Sequence, residues 1–301
     1  MGTQDSSQPL RGIFWMLVTG LCFISVTALV KYMGTGLPPA QMAFLRYLLG
    51  LVFLLPAINA LKAAHLTPRQ WKFFGIRGLM HGLAVIAWFY AMTRIPIADV
   101  TAMNYLAPIY VSIGAALFLG EKLAFRRIAA IVAALIGAFI ILRPGFREVS
   151  SGHIAMIFTA IAFGGSYLTA KVMAGEVKPS VVVAMLSIFV TLVLAPFALA
   201  VWVPPSLSDL GLLFCVACFA TAGHYTMTLA FAAAPVTVTQ PVTFTQLIWA
   251  VLLGYFVFDE SVDIWVLLGG LVILGSVSFI TWRESVLNRK HRTPTLNETK
   301  V

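Results

Sequence analysis

The 301-residue chain is 60% apolar and only 10% charged, with a mean hydropathy of +0.94, whereas soluble proteins carry about 25% charge. So little polar surface excludes a water-soluble globule, and most of the exterior must face lipid. The net charge of +9 does not mark a nucleic-acid surface, because Lys and Arg sit in the short gaps between apolar runs and in the C-terminal tail.

The first run, at 12–33, follows the N-terminus closely but has the length of a spanning helix, so no cleavable signal peptide is expected. Its Trp15 is a candidate pocket aromatic. GTGLPPAQ breaks the chain before the second run at 40–60. That run holds Arg46, placed as the one basic residue within a span. Two readings stand open for it: snorkelling to headgroups, or a fork of donors for a substrate carboxylate. The third run, 72–92, carries His81 between Gly78 and Gly82, which let a neighbour approach closely. Trp88 lies two turns beyond on the same face. His81 reads either as a packing histidine or as a cavity residue. The fourth run, 97–119, starts with Pro96 and holds Thr101, Asn104, Tyr105 and Pro108; Asp99 sits only at its start. The fifth spans 124–142 and ends at RPGFREVSSG.

The sixth run, 152–173, contains Tyr167, and the seventh covers 180–202 before WVPPSLSD. The eighth, 210–232, brings His224 and Tyr225, together with a Cys215-x-x-Cys218 pair that lacks any ligand cluster and reads, like Cys22, as buried apolar packing. The ninth, 236–258, opens with Thr239, Gln240, Pro241, Thr243 and Gln246, with Thr239, Thr243 and Gln246 on one helical face. The tenth is 262–282. Pro108 and Pro241 each free a helical carbonyl, which survives at membrane depth only where protein, water or substrate satisfies it. Trp71, Trp202, Trp265 and Trp282 near helix ends read as interface anchors.

An even number of spans puts both termini on one side. With those ends cytoplasmic, the inner segments hold Arg11, Lys62, Arg69, Lys72, Arg77, Lys122, Arg126, Arg127, Lys171, Lys178 and five basic residues after 282, against Lys31, Arg94, Arg143 and Arg147 outside. Fifteen against four follows the positive-inside pattern.

The chain also repeats itself. Pro96 and Glu121 recur 139 positions later as Pro235 and Glu260; Phe23, Lys31, Pro39 and Pro56 recur after 140 as Phe163, Lys171, Pro179 and Pro196. The reading is two five-helix units, 1–145 and 146–301. An odd number of spans inverts the second unit relative to the first, the architecture of alternating-access carriers with a site near mid-membrane. Glu121 and Glu260, at opposite faces, suit caps or salt-bridge latches, with Lys31 and Lys171 as partners.

The segments AWFYAMTRIPIADVTAMNYLAPIYVSIGAALFLGEKLAFRRIAAIVAALIGAFIILRP and AFAAAPVTVTQPVTFTQLIWAVLLGYFVFDESVDIWVLLGGLVILGSVSFI resemble the EamA type of the drug/metabolite transporter superfamily over roughly residues 10–283. The resemblance implies an all-α polytopic protein that moves a small metabolite across the bacterial inner membrane. The cargo expected from it is an amino acid, exported; the alternative is uptake or exchange of a larger metabolite such as S-adenosylmethionine, or a purine-type solute. The expected central site comprises Arg46, His81, Trp88, Asn104, Tyr105, His224, Tyr225, Gln240 and Gln246, with Trp15 and Tyr167 as further aromatics. No catalytic constellation, metal site or cofactor is expected. Partners are the metabolite and the bilayer, with proton coupling open, no nucleic acid, and a monomer or weak homodimer.

Overall fold

The computed structural model describes residues 8–121, 124–173 and 176–292, with the side chains of 179, 236, 237, 240, 284 and 287–292 outside that description. Ten helices are long and apolar enough to cross a membrane. We label these spans α1 (Pro9–Met33), α2 (Pro39–Lys62), α3 (Pro68–Met92), α4 (Ile97–Phe118), α5 (Phe125–Leu142), α6 (Ser151–Met173), α7 (Ser180–Ala200), α8 (Leu207–Ala233), α9 (Pro241–Phe258) and α10 (Ile264–Arg283). Without water to pair exposed amides, a helix is the one way an isolated segment satisfies its backbone in lipid, so apolar runs of this length become helices. Large apolar side chains such as Leu117, Phe118, Leu192 and Phe256 stand exposed on the outer surface. The chain is an integral, polytopic, all-α membrane protein.

Helix starts are written locally. Thr67 caps α3 and Ser206 caps α8, each reciprocally with the residue three later, Gln70 and Asp209. These two capping boxes are 139 positions apart, the spacing of the other repeated landmarks. Proline occupies the first turn of α1 and α2, where its missing N–H costs nothing.

Three spans depart from a continuous α-helix. In α2 an α-helix over Pro39–Gly50 tightens to a 3-10 stretch, Leu51–Ala57, around Pro56. In α4 the helix Ile97–Asn104 stops and a second, Ala107–Phe118, begins with Pro108 in its first turn. At the start of α9, a 3-10 turn over Gln240–Thr243 holds Pro241, and the α-helix proper runs from Phe244. That turn corrects the expected helical face: Thr239, Thr243 and Gln246 do not follow 3.6-residue spacing, because Thr239 caps the tighter 3-10 helix and Thr243 ends it.

The main packing pairs join residues before 143 to residues after 150: α1 with α8, α3 with α6, α2 with α7, and α5 with α10. Glycine permits the closest crossings. A Cβ on Gly78 of α3 would lie 2.5 Å from the Phe189 Cβ of α7. A Cβ on Gly137 of α5 would lie 2.8 Å from the Gly269 carbonyl of α10. The expected close approach at Gly78 is therefore present, with α7 as the neighbour. The cysteines are free; Cys22 is buried, but Cys215 is exposed rather than buried as expected.

Candidate functional site

A cluster of rings and guanidinium groups lies in the middle of the bundle. His81 is 13 residues into α3, about 20 Å from its start at 1.5 Å per residue. Its ring lies 4.8 Å from Phe163, 6.3 Å from Tyr47 and 6.5 Å from Tyr167, centroid to centroid. Phe163 and Tyr167 stack at 5.8 Å with 15° between their planes. Trp88 meets Phe163 edge-on at 6.1 Å, so the predicted pairing of His81 and Trp88 on one face is present, with α6 supplying the ring between them. His81 Nδ1 is 3.1 Å from the Ser166 hydroxyl, which orients the imidazole.

Two arginines flank these rings. Arg46 of α2 lies over the face of Tyr47, its Cζ 4.2 Å from the centroid. Arg77 of α3 donates to the Val182 carbonyl at 3.0 Å. Both are buried, 8% and 7% exposed. Among the described residues neither has a carboxylate within ion-pair distance. His224 of α8, by contrast, is exposed, and none of these rings contacts it among the described residues. His224 packs edge-on against Phe23 of α1 at 5.1 Å.

Among the described residues, the buried Nε of Arg46, the Nε of Arg77, the Trp88 Nε1 and the Asn104 Oδ1 make no hydrogen bond. A buried unpaired donor costs roughly 1–3 kcal/mol, and an ionisable residue at membrane depth usually faces a cavity or a partner. Four such atoms in one bundle fit a surface built to be completed by a polar guest.

Arg77 corrects the sequence reading. The charge count places it in an inner segment and leaves Arg46 as the one basic residue within a span, yet Arg77 lies inside α3, four residues before His81 and so on its face. Tyr47, Phe163 and Ser166 were also missed. Other expected residues fall elsewhere. Tyr225 is 65% exposed and sits about 200° around α8 from Gly223, whose side packs on α1. Trp15 contacts the exposed Phe14 at 5.2 Å and no ring of the central set. Tyr105 donates to the Thr243 carbonyl at 2.9 Å, tying the break in α4 to the 3-10 turn at the start of α9. Gln246 backs onto Gly20 of α1, and the side chain of Gln240 lies outside the described residues. Pro108 is exposed, on the wall of a vestibule of about 320 Å³ between α4, α5, α6 and α10 that Ser112, Arg127, Tyr167 and Lys171 also line.

Ion pairs lie toward both ends. Lys31 Nζ is 2.6 Å from Glu260 Oε1, and Lys171 pairs with Glu121. The expected partnership therefore holds in crossed form, each lysine reaching the glutamate of the other half. At the Glu260 end, Asp99 is 1% exposed and bonded to Arg147 and to His153 Nε2, the latter at 2.8 Å. Backbone N–H of Ser150 donates to His153 Nδ1 at 3.2 Å, leaving Nε2–H to donate to Asp99. Arg143 pairs with Asp263 beside them.

Comparison with known proteins follows this geometry. The chain is 29% identical to a riboflavin transporter of Rhizobium johnstonii over 95% of its length and 96% of the relative's. It is 27% identical to an S-adenosylmethionine uptake transporter of Rickettsia conorii, over 94% and 97%, and 23% identical to a pseudopaline exporter of Pseudomonas aeruginosa, over 87% and 93%. A solved crystal structure shares the fold with a TM-score of 0.59 at 18% identity, covering 91% of this chain and 96% of its own. The model of the EamA-like transporter family matches twice, at residues 10–143 and 150–282. With ten apolar spans, a polar and aromatic interior and two matches that fill nearly its whole length, the chain belongs to the EamA-like transporter family: it is a secondary transporter of a small metabolite, not an enzyme.

Proposed function

We propose that this carrier takes up or exchanges a flat heteroaromatic metabolite rich in carbonyl acceptors, of flavin type, through the central cluster. One observation carries the reading: two buried guanidiniums with no carboxylate beside them among the described residues, framed by Tyr47, His81, Trp88, Phe163 and Tyr167. Stacked rings accept a conjugated ring system. Unpartnered guanidinium and indole N–H groups suit its carbonyls or an anionic substituent. An amino acid fits less well, because its ammonium group finds no carboxylate. S-adenosylmethionine, with one net positive charge, meets the same obstacle twice over. The riboflavin-transporting relatives support the flavin arm of this choice.

The proposal includes two inverted units, residues 1–145 and 146–301, with both termini cytoplasmic. Supporting it are the doubled family match, the packing of each half on the other, the repeated capping boxes and the crossed Lys–Glu pairs. Both pairs are formed together here, so rocking of the halves breaks one while the other stays closed, exposing the cluster to each side in turn.

The test is uptake into proteoliposomes of labelled riboflavin, S-adenosylmethionine and leucine, with the pH gradient varied. Riboflavin should accumulate. Arg77→Gln should lower its apparent affinity by about 10- to 100-fold, the roughly 1.5–3 kcal/mol of a hydrogen bond to a charged group. Uptake of leucine or S-adenosylmethionine that riboflavin fails to compete against would sink the flavin reading.

A further inference from the structure

The backbones of α5 and α10 touch where Gly137 meets Gly269. A Cβ on Gly137 would lie 2.8 Å from the Gly269 carbonyl, and one on Gly269 would lie 2.5 Å from the Gly137 carbonyl. Helix axes cross at an angle, so they diverge away from such a contact. Toward the start of α5 and the end of α10 the two helices border a groove of about 420 Å³. Ala129, Ala133, Gly275, Phe125, Phe279 and Arg126 line it. A Cβ on Gly275 would meet no neighbouring atom within 4 Å, so the bundle leaves this space unfilled. Ser276 also lines the groove, but its hydroxyl is already spent on the Val272 carbonyl at 2.8 Å. Arg126 is therefore the one polar group that the groove offers to a guest. It is exposed in the first turn of α5 and makes no ion pair among the described residues. Trp282, in the last turn of span α10, stands 6.1 Å from Phe279, at the depth where aromatic residues meet headgroups.

We propose that this groove binds an anionic phospholipid, with one acyl chain between α5 and α10 and the headgroup phosphate on the Arg126 guanidinium. The order of chemistry along the groove is that of the lipid. From Ala133 to Phe125 the lining runs about 12 Å at 1.5 Å per residue and is apolar, and the cation stands at its membrane-boundary end. A guanidinium presents a fork of donors to phosphate oxygens, and basic recesses between spanning helices hold anionic headgroups. A zwitterionic headgroup brings its own ammonium toward Arg126 and gains less. Since α5 lies in the first family match and α10 in the second, the lipid also braces one half of the chain against the other.

The site is tested on the full-length protein, delipidated in a neutral detergent and titrated with phosphatidylglycerol or phosphatidylcholine of the same acyl chains. Native mass spectrometry counts the lipid retained. One phosphatidylglycerol should bind with a preference of roughly tenfold over phosphatidylcholine, the scale of one hydrogen bond to a charged group. Arg126→Gln should erase that preference without altering any packing. Gly275→Leu, whose side chain enters the open space, should weaken both lipids by filling the groove. Arg11→Gln, at an exposed arginine of α1 outside the groove, should change neither. Inorganic phosphate should not compete, because it lacks the chain. The proposal is overturned if the parent holds the two lipids equally, if R11Q and R126Q lose the preference alike, or if G275L binds lipid as the parent does. Competition by inorganic phosphate at the lipid's own concentration would overturn it too, leaving a bare phosphate contact. Dimer masses that vanish in G275L, with no lipid retained by the parent, would give the groove to a second copy of the chain instead.

Discussion

The two Lys–Glu pairs use the same residue types at repeated positions, but they stand in unequal surroundings. Lys31 and Glu260 are 16% and 13% exposed, whereas Lys171 and Glu121 are 52% and 33% exposed. At the first pair, Glu260 Oε2 also accepts the Ile97 N–H at 2.9 Å, and Lys31 donates to the Ile95 carbonyl at 2.8 Å. The pair thus satisfies backbone at the start of α4 as well as joining the halves. The buried Asp99–His153–Arg147 group reinforces that end. The second pair opens on the vestibule, and Arg127 joins it at 3.3 Å. Sequence accounts for part of the difference: position 139 after Asp99 is Val238, and position 139 after Arg127 is Val266. Repetition preserved the latch chemistry while the reinforcements diverged. One end is firmly sealed and the other lightly held, an asymmetry that agrees with the alternating access proposed above.

Breaking the sealed end should have the largest effect. Glu260→Ala strands the Lys31 ammonium and the Ile97 N–H in a mostly dry site. The expected loss is about 3 kcal/mol, the lower part of the range for breaking a buried pair, read as unfolding free energy in mixed micelles. The charge-reversed double variant K31E/E260K should recover part of the ion pairing but none of the Ile97 contact, because lysine cannot accept a hydrogen bond. Full recovery would remove the capping role and leave Coulomb attraction as the sole function. A loss below about 0.5 kcal/mol for E260A would end the contrast between the two ends.

The lightly held end should respond less. Lys171→Ala is expected to cost under about 1 kcal/mol of stability, as exposed pairs do. Its larger effect should be on state populations. A cysteine introduced at Ser112, on the vestibule wall, should react faster with a water-soluble maleimide in the K171A background than in the parent. Equal labelling rates would argue that the pair does not restrain this end.

Much of this contrast was legible in the chain. The ten spans were, because lipid leaves an apolar run of twenty residues few options besides a helix. The crossed pairs were, because residues repeated at 139 or 140 positions must come to equivalent places if the halves are copies. The central cluster was legible only in part. His81 and Trp88 share a helix, so their spacing revealed their common face. Arg77 carried the same signal, four residues before His81, but its count as a flanking charge hid it. Tyr47, Phe163 and Ser166 reach the site from α2 and α6, and no local pattern distinguishes such residues from lipid-facing or packing ones. Asp99 and His153 are 54 positions apart on different helices; their meeting is a tertiary fact. The 3-10 turn over Gln240–Thr243 broke the helical spacing on which Thr239, Thr243 and Gln246 had been aligned.

The smallest expected effect concerns acid. The hydrogen bond from Lys171 holds the Glu121 carboxyl below its ordinary value, burial opposing and Arg127 assisting. A carboxylate depressed in the folded state contributes stability that is full above the unfolded-state value and is lost as pH falls through the folded one. Comparing the parent with E121Q should therefore give a constant stability difference at neutral pH that shrinks only below the ordinary glutamate range. In K171Q the chief cause of the depression is gone, so its difference from the K171Q/E121Q double variant should be smaller at neutral pH. What remains should fade at higher pH than in the parent pair. The groups are partly exposed, so each difference stays under about 1 kcal/mol and is best measured at low ionic strength, where screening is weakest. A parent curve that collapses at or above the ordinary glutamate range would mean that Lys171 does not hold Glu121 in solution, and the lightly latched end would then be an open one.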